Sequence, residues 1–144
     1  MLNKLRTILL IEDNLADVRL MQEAFKDSKF HSTLSVVKDG VEAMAFLRRE
    51  GSYADAGKPD FIFLDLNLPR KDGREVLAEV KSDAELRRIP IAILTTSNAE
   101  RDILTSYNLH ANCYIIKPAD VDQFFEAIRS TERFWQTTVT RSPK

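Results

Sequence analysis

The sequence predicts an α/β domain built on a doubly wound, five-stranded parallel sheet. Five short apolar runs alternate with segments of helical periodicity, the pattern of repeated strand–crossover–strand units. The runs are continuous, as in Thr7–Ile11 (TILLI) and Phe61–Leu64 (FIFL), which suits parallel strands covered on both faces. Polar residues stand where these runs stop: Glu12 and Asp13, Asp65, Thr95 and Lys117. In open parallel sheets, ligands bind at that edge, beyond the carboxyl ends of the strands.

Each element has its own signal. Asn14 follows the first strand as a helix cap, and Val18, Met21 and Phe25 recur at helical spacing. Ser32–Val37 reads as the second strand. Asp39 and Glu42 resemble a capping box, with Val41, Met44 and Ala45 expected on the inner face of the second helix. Glu50–Pro59 is a long connector with two glycines and a proline, a loop by composition. Phe61–Leu64 is the third strand. Leu68–Gly73 (LPRKDG) carries turn chemistry, and Val76, Leu77 and Val80 mark the third helix. Ile91–Leu94, entered through Pro90, is the fourth strand. Ser97 and Glu100 fit a capping box before Ile103, Leu104 and Tyr107. Cys113–Ile116 is the fifth strand. Asp120 and Gln123 fit another box, and Val121, Phe124, Phe125 and Ile128 follow the i, i+3, i+4, i+7 pattern of a last helix.

Composition narrows the class. With 144 residues, 44% hydrophobic and 30% charged, the chain has the size and apolar content of one domain. Residues 5–136 are expected to form it, with 137–144 as a frayed tail. A formal net charge of -1 offers no basic excess for nucleic acid. Arg48-Arg49 and Arg87-Arg88 read as solvated surface. The single cysteine, Cys113, reads as a buried, inert thiol; His31 and His110 lack companions at metal-ligand spacing. Neither a signal peptide nor an apolar run of membrane-spanning length is visible, so a cytoplasmic protein with no membrane partner is expected.

If the apolar runs are neighbours in one sheet, three carboxylates and an ammonium converge. The carboxylates repel one another, and a bound Mg²⁺ removes that repulsion. Mg²⁺ takes oxygen ligands: Asp13 and Asp65 are the best direct ones, Glu12 acts directly or through water, and the backbone carbonyl of Asn67 can add another. Asp65, ending the most central strand, is placed as a nucleophile toward phosphorus. Lys117 brings a mobile cation suited to a phosphate oxygen, and the Thr95 hydroxyl can donate to the same group. Taken singly, each feature also suits a helix cap, a solvated turn or a surface lysine. Their conjunction at the ends of different strands argues for one site.

These residues resemble the receiver domain of two-component response regulators. The matching segments are ILLIEDNLADVRLM, FIFLDLNLPRKDG, IPIAILTTS and CYIIKP, four motifs in order over nearly the whole chain. The resemblance implies a flavodoxin-like (βα)₅ fold with sheet order 2-1-3-4-5. It implies that Asp65 accepts a phosphoryl group from a histidine kinase, with Glu12, Asp13, Asp65 and the Asn67 carbonyl around Mg²⁺. Thr95 and Lys117 would contact the phosphoryl oxygens, Tyr114 would be the aromatic switch on the fifth strand, and the Lys117–Pro118 bond would often be cis. DLNLPRKDGREVL and SDAELRRIPIAILTTS further resemble small regulators that partner cyanobacterial and bacterial phytochromes. That likeness, with Phe134 and Trp135 beyond the helix needed to cover the sheet, points to a homodimer; packing back onto the domain is the other reading of those aromatics.

The expected function is therefore a phosphorylation-controlled binding module, not an enzyme, with only slow autodephosphorylation. Nothing after Trp135 is long enough for an output domain, so the module would contact a downstream protein or pass phosphate to a histidine phosphotransfer domain. On phosphorylation, Thr95 would move and Tyr114 turn inward, a shift between two packings. A Mg²⁺-dependent phosphatase of the haloacid dehalogenase type would need a general acid two residues after Asp65, where Asn67 cannot transfer a proton. A flavodoxin-type cofactor binder would need a phosphate loop, where this chain has Glu12, Asp13 and Asn14.

Overall fold

The computed structural model describes residues 6–26, 32–95, 113–116, 122–123 and 125–130. Five strands are described, β1 (Arg6–Ile11), β2 (Ser32–Val37), β3 (Phe61–Asp65), β4 (Ile91–Thr95) and β5 (Cys113–Ile116), and three helices alternate with the first four of them. These are α1 (Leu15–Lys26), α2 (Gly40–Leu47) and α3 (Gly73–Ser82). The strands form one sheet in the order β2-β1-β3-β4-β5, and every neighbouring pair is parallel. This is the doubly wound, flavodoxin-like order expected of the sequence. The expected fourth helix, the Lys117–Pro118 bond, Phe134, Trp135 and residues 137–144 lie outside the described residues.

Alternation along each strand sends successive side chains to opposite faces, and both faces are covered. On one, Leu9, Ile11, Ile62, Leu64, Ile91 and Ile93 pack with Met44, Leu47, Val76, Leu77 and Val80 of α2 and α3. On the other, Ile8, Leu10, Phe61, Phe63, Ala92 and Leu94 pack with Val18, Met21 and Ala24 of α1 and with Ile128. Phe63 meets Phe61 at 5.0 Å and Phe25 edge-on at 5.8 Å between ring centroids.

Polar side chains start the helices. The Asn14 carboxamide oxygen accepts from the Asp17 amide at 3.0 Å. Asp39 caps α2 by accepting from the Glu42 amide at 2.7 Å, while Glu42 Oε1 accepts from Lys38 N at 2.8 Å, one residue upstream of a regular box. Asp72-Gly73, expected within a turn, instead begins α3. Asp72 accepts from the Arg74 amide at 2.7 Å and Glu75 accepts from Asp72 N at 2.9 Å, which closes a full capping box. Asp72→Ala is expected to lower stability by about 1 kcal/mol, read as a lower urea midpoint at unchanged slope. An unmoved midpoint would show that the box contributes nothing.

Two expectations are corrected. Val41 is 44% exposed; the inner face of α2 is built by Ala43, Met44, Phe46 and Leu47, because the helix is anchored at Gly40, which is buried. The connector after α2 is not featureless. It holds a short 3-10 turn, Gly51–Tyr53, and the Tyr53 ring lies 5.2 Å from that of Phe46. Burial and a hydrogen bond to Glu42 push the Tyr53 hydroxyl above its ordinary pKa. At the connector's end, Asp60 exchanges bonds with Thr7, N to O at 2.7 Å and Oδ2 from N at 2.9 Å, which fixes β3 beside β1.

Candidate functional site

The sheet order places the ends of β1, β3, β4 and β5 along one edge. Glu12 directly follows β1 and extends its ladder, its amide donating to the Val37 carbonyl at 3.0 Å. It is fully buried, and its Oε2 accepts from the Asn14 amide at 3.2 Å. Asp13 is exposed and forms the open side of the cluster. Asp65 is the last residue of β3, only 4% exposed. Carboxylate oxygens of Glu12, Asp13 and Asp65 all lie within 4.8 Å of one another.

Such a trio suits a divalent cation. Oxygen-only donors from carboxylates are what hard cations take, and three like charges this close repel unless a cation shares them. Burial of two of the three strengthens both effects. Asp65 is not sealed in apolar packing: its Oδ1 accepts from the Asn67 amide at 3.1 Å and the exposed Asp13 stands beside it. That bond closes a tight turn after β3 and brings the Asn67 backbone to the acids. Further bonds within the turn run from Leu68 N and Gly73 N to the Leu66 carbonyl, at 3.2 and 3.1 Å.

The remaining expected site residues are placed only by backbone. Leu94 pairs with Asp65 in register and Thr95 pairs with Ile116, so Thr95 ends its strand at the same edge. Tyr114 pairs with Ile93. The side chains of Thr95 and Tyr114, and Lys117 as a whole, lie outside the described residues.

Three contacts around the turn carry no local sequence signal. Arg70, with a left-handed φ of 65°, reaches Asp39 Oδ2 at 3.3 Å. Lys71 pairs with Glu79 of α3. Gly73 lies against the Asp65 carbonyl, where a Cβ would also sit 2.6 Å from Leu66 Cα. The triplets Lys38-Asp39-Gly40 and Lys71-Asp72-Gly73 open the two helices that flank the turn.

A cleft of about 450 Å³ lies between Leu47, Arg48, Lys58, Asp83 and Leu86, at the opposite edge of the sheet, where α2 ends and β3 begins. The amides of Leu86 and Glu85, then Arg48 and Lys58, hold the Asp83 carboxyl below its ordinary pKa. The cleft gathers no trio of carboxylates, and among the described residues only the cluster of Glu12, Asp13 and Asp65 has the donor set for a metal ion.

Comparison with known proteins agrees with this geometry. The response regulator receiver domain family matches residues 8–129. Response regulator Rcp1 of Synechocystis sp. is 49% identical over 138 residues, 96% of this chain and 94% of that protein. The solved structure of the phosphorylated cyanobacterial phytochrome response regulator RcpA is similar with a TM-score of 0.87 and 55% identity, over 94% of this chain and 96% of that one. The Mn²⁺-bound form of Rcp1 follows at a TM-score of 0.83 and 48% identity, over 90% and 94%. With a fold, an acidic strand-end trio and a family match that all coincide, the chain belongs to the response regulator receiver domain family.

Proposed function

We propose that this protein is a signalling switch that accepts a phosphoryl group on Asp65 from a histidine kinase. One observation carries the reading: a buried aspartate ends the central strand with two further carboxylates within 4.8 Å. An Asp65 carboxylate oxygen attacks phosphorus and forms the P–O bond of an acyl phosphate. The P–N bond to the donor histidine breaks, and the imidazole keeps the electron pair and takes a proton from solvent. Glu12, Asp13, Asp65 and the Asn67 carbonyl are the residues that would hold Mg²⁺. When bound, a divalent cation there would neutralise charge gathering on the phosphoryl oxygens. Lys117 and Thr95 contact those oxygens, and Thr95 with Tyr114 passes the change to a protein-binding surface.

The names of the similar proteins support a phytochrome as the kinase. The receiver spans residues 5–136, with 137–144 as a tail. It works in the cytoplasm as a homodimer, hands its signal to a downstream protein or a histidine phosphotransfer domain, and loses phosphate slowly by its own hydrolysis rather than acting as an enzyme. Acetyl phosphate with Mg²⁺ replaces the kinase in the test, acetate leaving as the P–O bond to it breaks. Intact mass is expected to show one phosphoryl adduct, and peptide mapping to place it on Asp65. No adduct, or one on another residue, would reject the reading.

A further inference from the structure

The two Lys-Asp-Gly triplets touch. Gly40, the first residue of α2, faces the Lys71 backbone in the turn after β3. A Cβ at Gly40 would overlap the Lys71 carbonyl oxygen and lie 2.5 Å from Lys71 Cβ and 2.7 Å from its carbonyl carbon. Those distances are closer than real Cβ atoms come to any neighbour, and the atoms met are mainly backbone, which cannot swing aside. Gly73, the first residue of α3, meets the Asp65 carbonyl and the Leu66 backbone at the other end of the same turn. The turn is thus held between two helix starts that approach it to within the space of a missing methyl group.

A second link joins α2 to the turn. The Asp39 carboxylate divides its two oxygens, Oδ1 accepting from the Glu42 amide at 2.7 Å and Oδ2 from Arg70 Nη1 at 3.3 Å. Arg70 adopts a left-handed backbone, φ 65°, a conformation that is uncommon for a residue with a Cβ and persists where the surroundings hold it. The end of α2 that packs on Lys71 is therefore the end that grips Arg70.

From these contacts we infer that Gly40 and the Asp39–Arg70 pair are positioning residues for the metal site. They set the turn of residues 66–72 so that the Asn67 backbone stays beside Asp65, without themselves touching cation or phosphoryl group. The inference rests on the reading of Glu12, Asp13, Asp65 and Asn67 as the cation's holders. It extends the site to a helix that contributes no ligand.

Titration with Mn²⁺, read by water-proton relaxation on the full chain, tests it. Gly40→Ala pushes α2 off the turn, so Mn²⁺ affinity is expected to fall about tenfold, an order of magnitude for one misplaced ligand among several. With the carbonyl ligand lost, a water takes its place, and relaxivity per bound Mn²⁺ rises; a general loss of stability would lower occupancy without changing that signature. Arg70→Ala is the second variant. Its side chain is 64% exposed, so the fold survives its removal, and the two candidate effects have opposite signs. Removing a nearby positive charge tightens cation binding, whereas releasing the turn loosens it. Weaker binding, by about threefold, with higher relaxivity is expected. Unchanged or tighter binding in Arg70→Ala overturns the inference even if Gly40→Ala fails to fold. Wild-type protein that binds no Mn²⁺ overturns the metal-site reading together with this one, while wild-type binding with both variants unaltered overturns this one alone.

Discussion

Asp65→Asn is expected to abolish the phosphoryl adduct and, with no divalent cation present, to make the protein more stable. The first effect follows from chemistry: a carboxamide oxygen does not form an acyl phosphate. The second follows from the three carboxylates within 4.8 Å of one another. At an effective dielectric constant near 20, two unit charges at that distance repel by roughly 3 kcal/mol. Asp13 is exposed and water screens its share, so a net gain of about 1–2 kcal/mol is expected. The substituted side chain keeps an oxygen for the Asn67 amide, so the turn is not lost. Saturating Mg²⁺ reverses the order. Binding to the native state alone stabilises by about 2.7 kcal/mol at a hundred times Kd, and the variant forfeits most of it. Urea unfolding with and without Mg²⁺ measures both. A variant less stable than wild type in chelator would show that the trio is not under electrostatic tension.

Phe63→Ala should produce the largest loss of stability of any change proposed for this domain. Phe63 is 1% exposed, touches Phe61 and Phe25, and sits on the central strand two residues before Asp65. Truncation removes a whole ring from a packed face and leaves a cavity, which costs about 3–5 kcal/mol. Domains of this size hold only about 5–15 kcal/mol, so a substantial unfolded fraction is expected well below the wild-type melting temperature. Phosphoryl uptake in the cold, where most molecules remain folded, should stay near normal per folded molecule and fall steeply on warming. Phe63→Leu, which keeps most of the volume, should lose far less. Equal melting temperatures for Phe63→Ala and wild type would reject the packing argument.

The sheet and the acids are legible in the sequence for the same reason. A parallel strand buried on both faces is a continuous apolar run, so TILLI and FIFL announce both the strand and the place where it stops, and Glu12, Asp13 and Asp65 stand at those stops. Strand order is not local information and came through family resemblance. The facing of α2 is hidden because six of its eight residues, GVEAMAFL, are apolar, alanine included, and a helix apolar on most sides does not declare which side turns inward. Asp72-Gly73 reads as a turn from sequence because turns and helix caps draw on the same residue types. The Arg70–Asp39 and Gly40–Lys71 contacts join segments some thirty residues apart, and no periodicity encodes them.

The pairing of β1 with β3 skips over α1, β2 and α2. Glu12 and Asp13 therefore reach Asp65 only after the intervening segment has folded away as a crossover. A growing chain or an isolated fragment carries the same acids as scattered surface charges with nothing to grip a cation. Competence for signalling is in this sense a certificate of finished topology: a molecule able to take the phosphoryl group has already shown that its strands are threaded correctly.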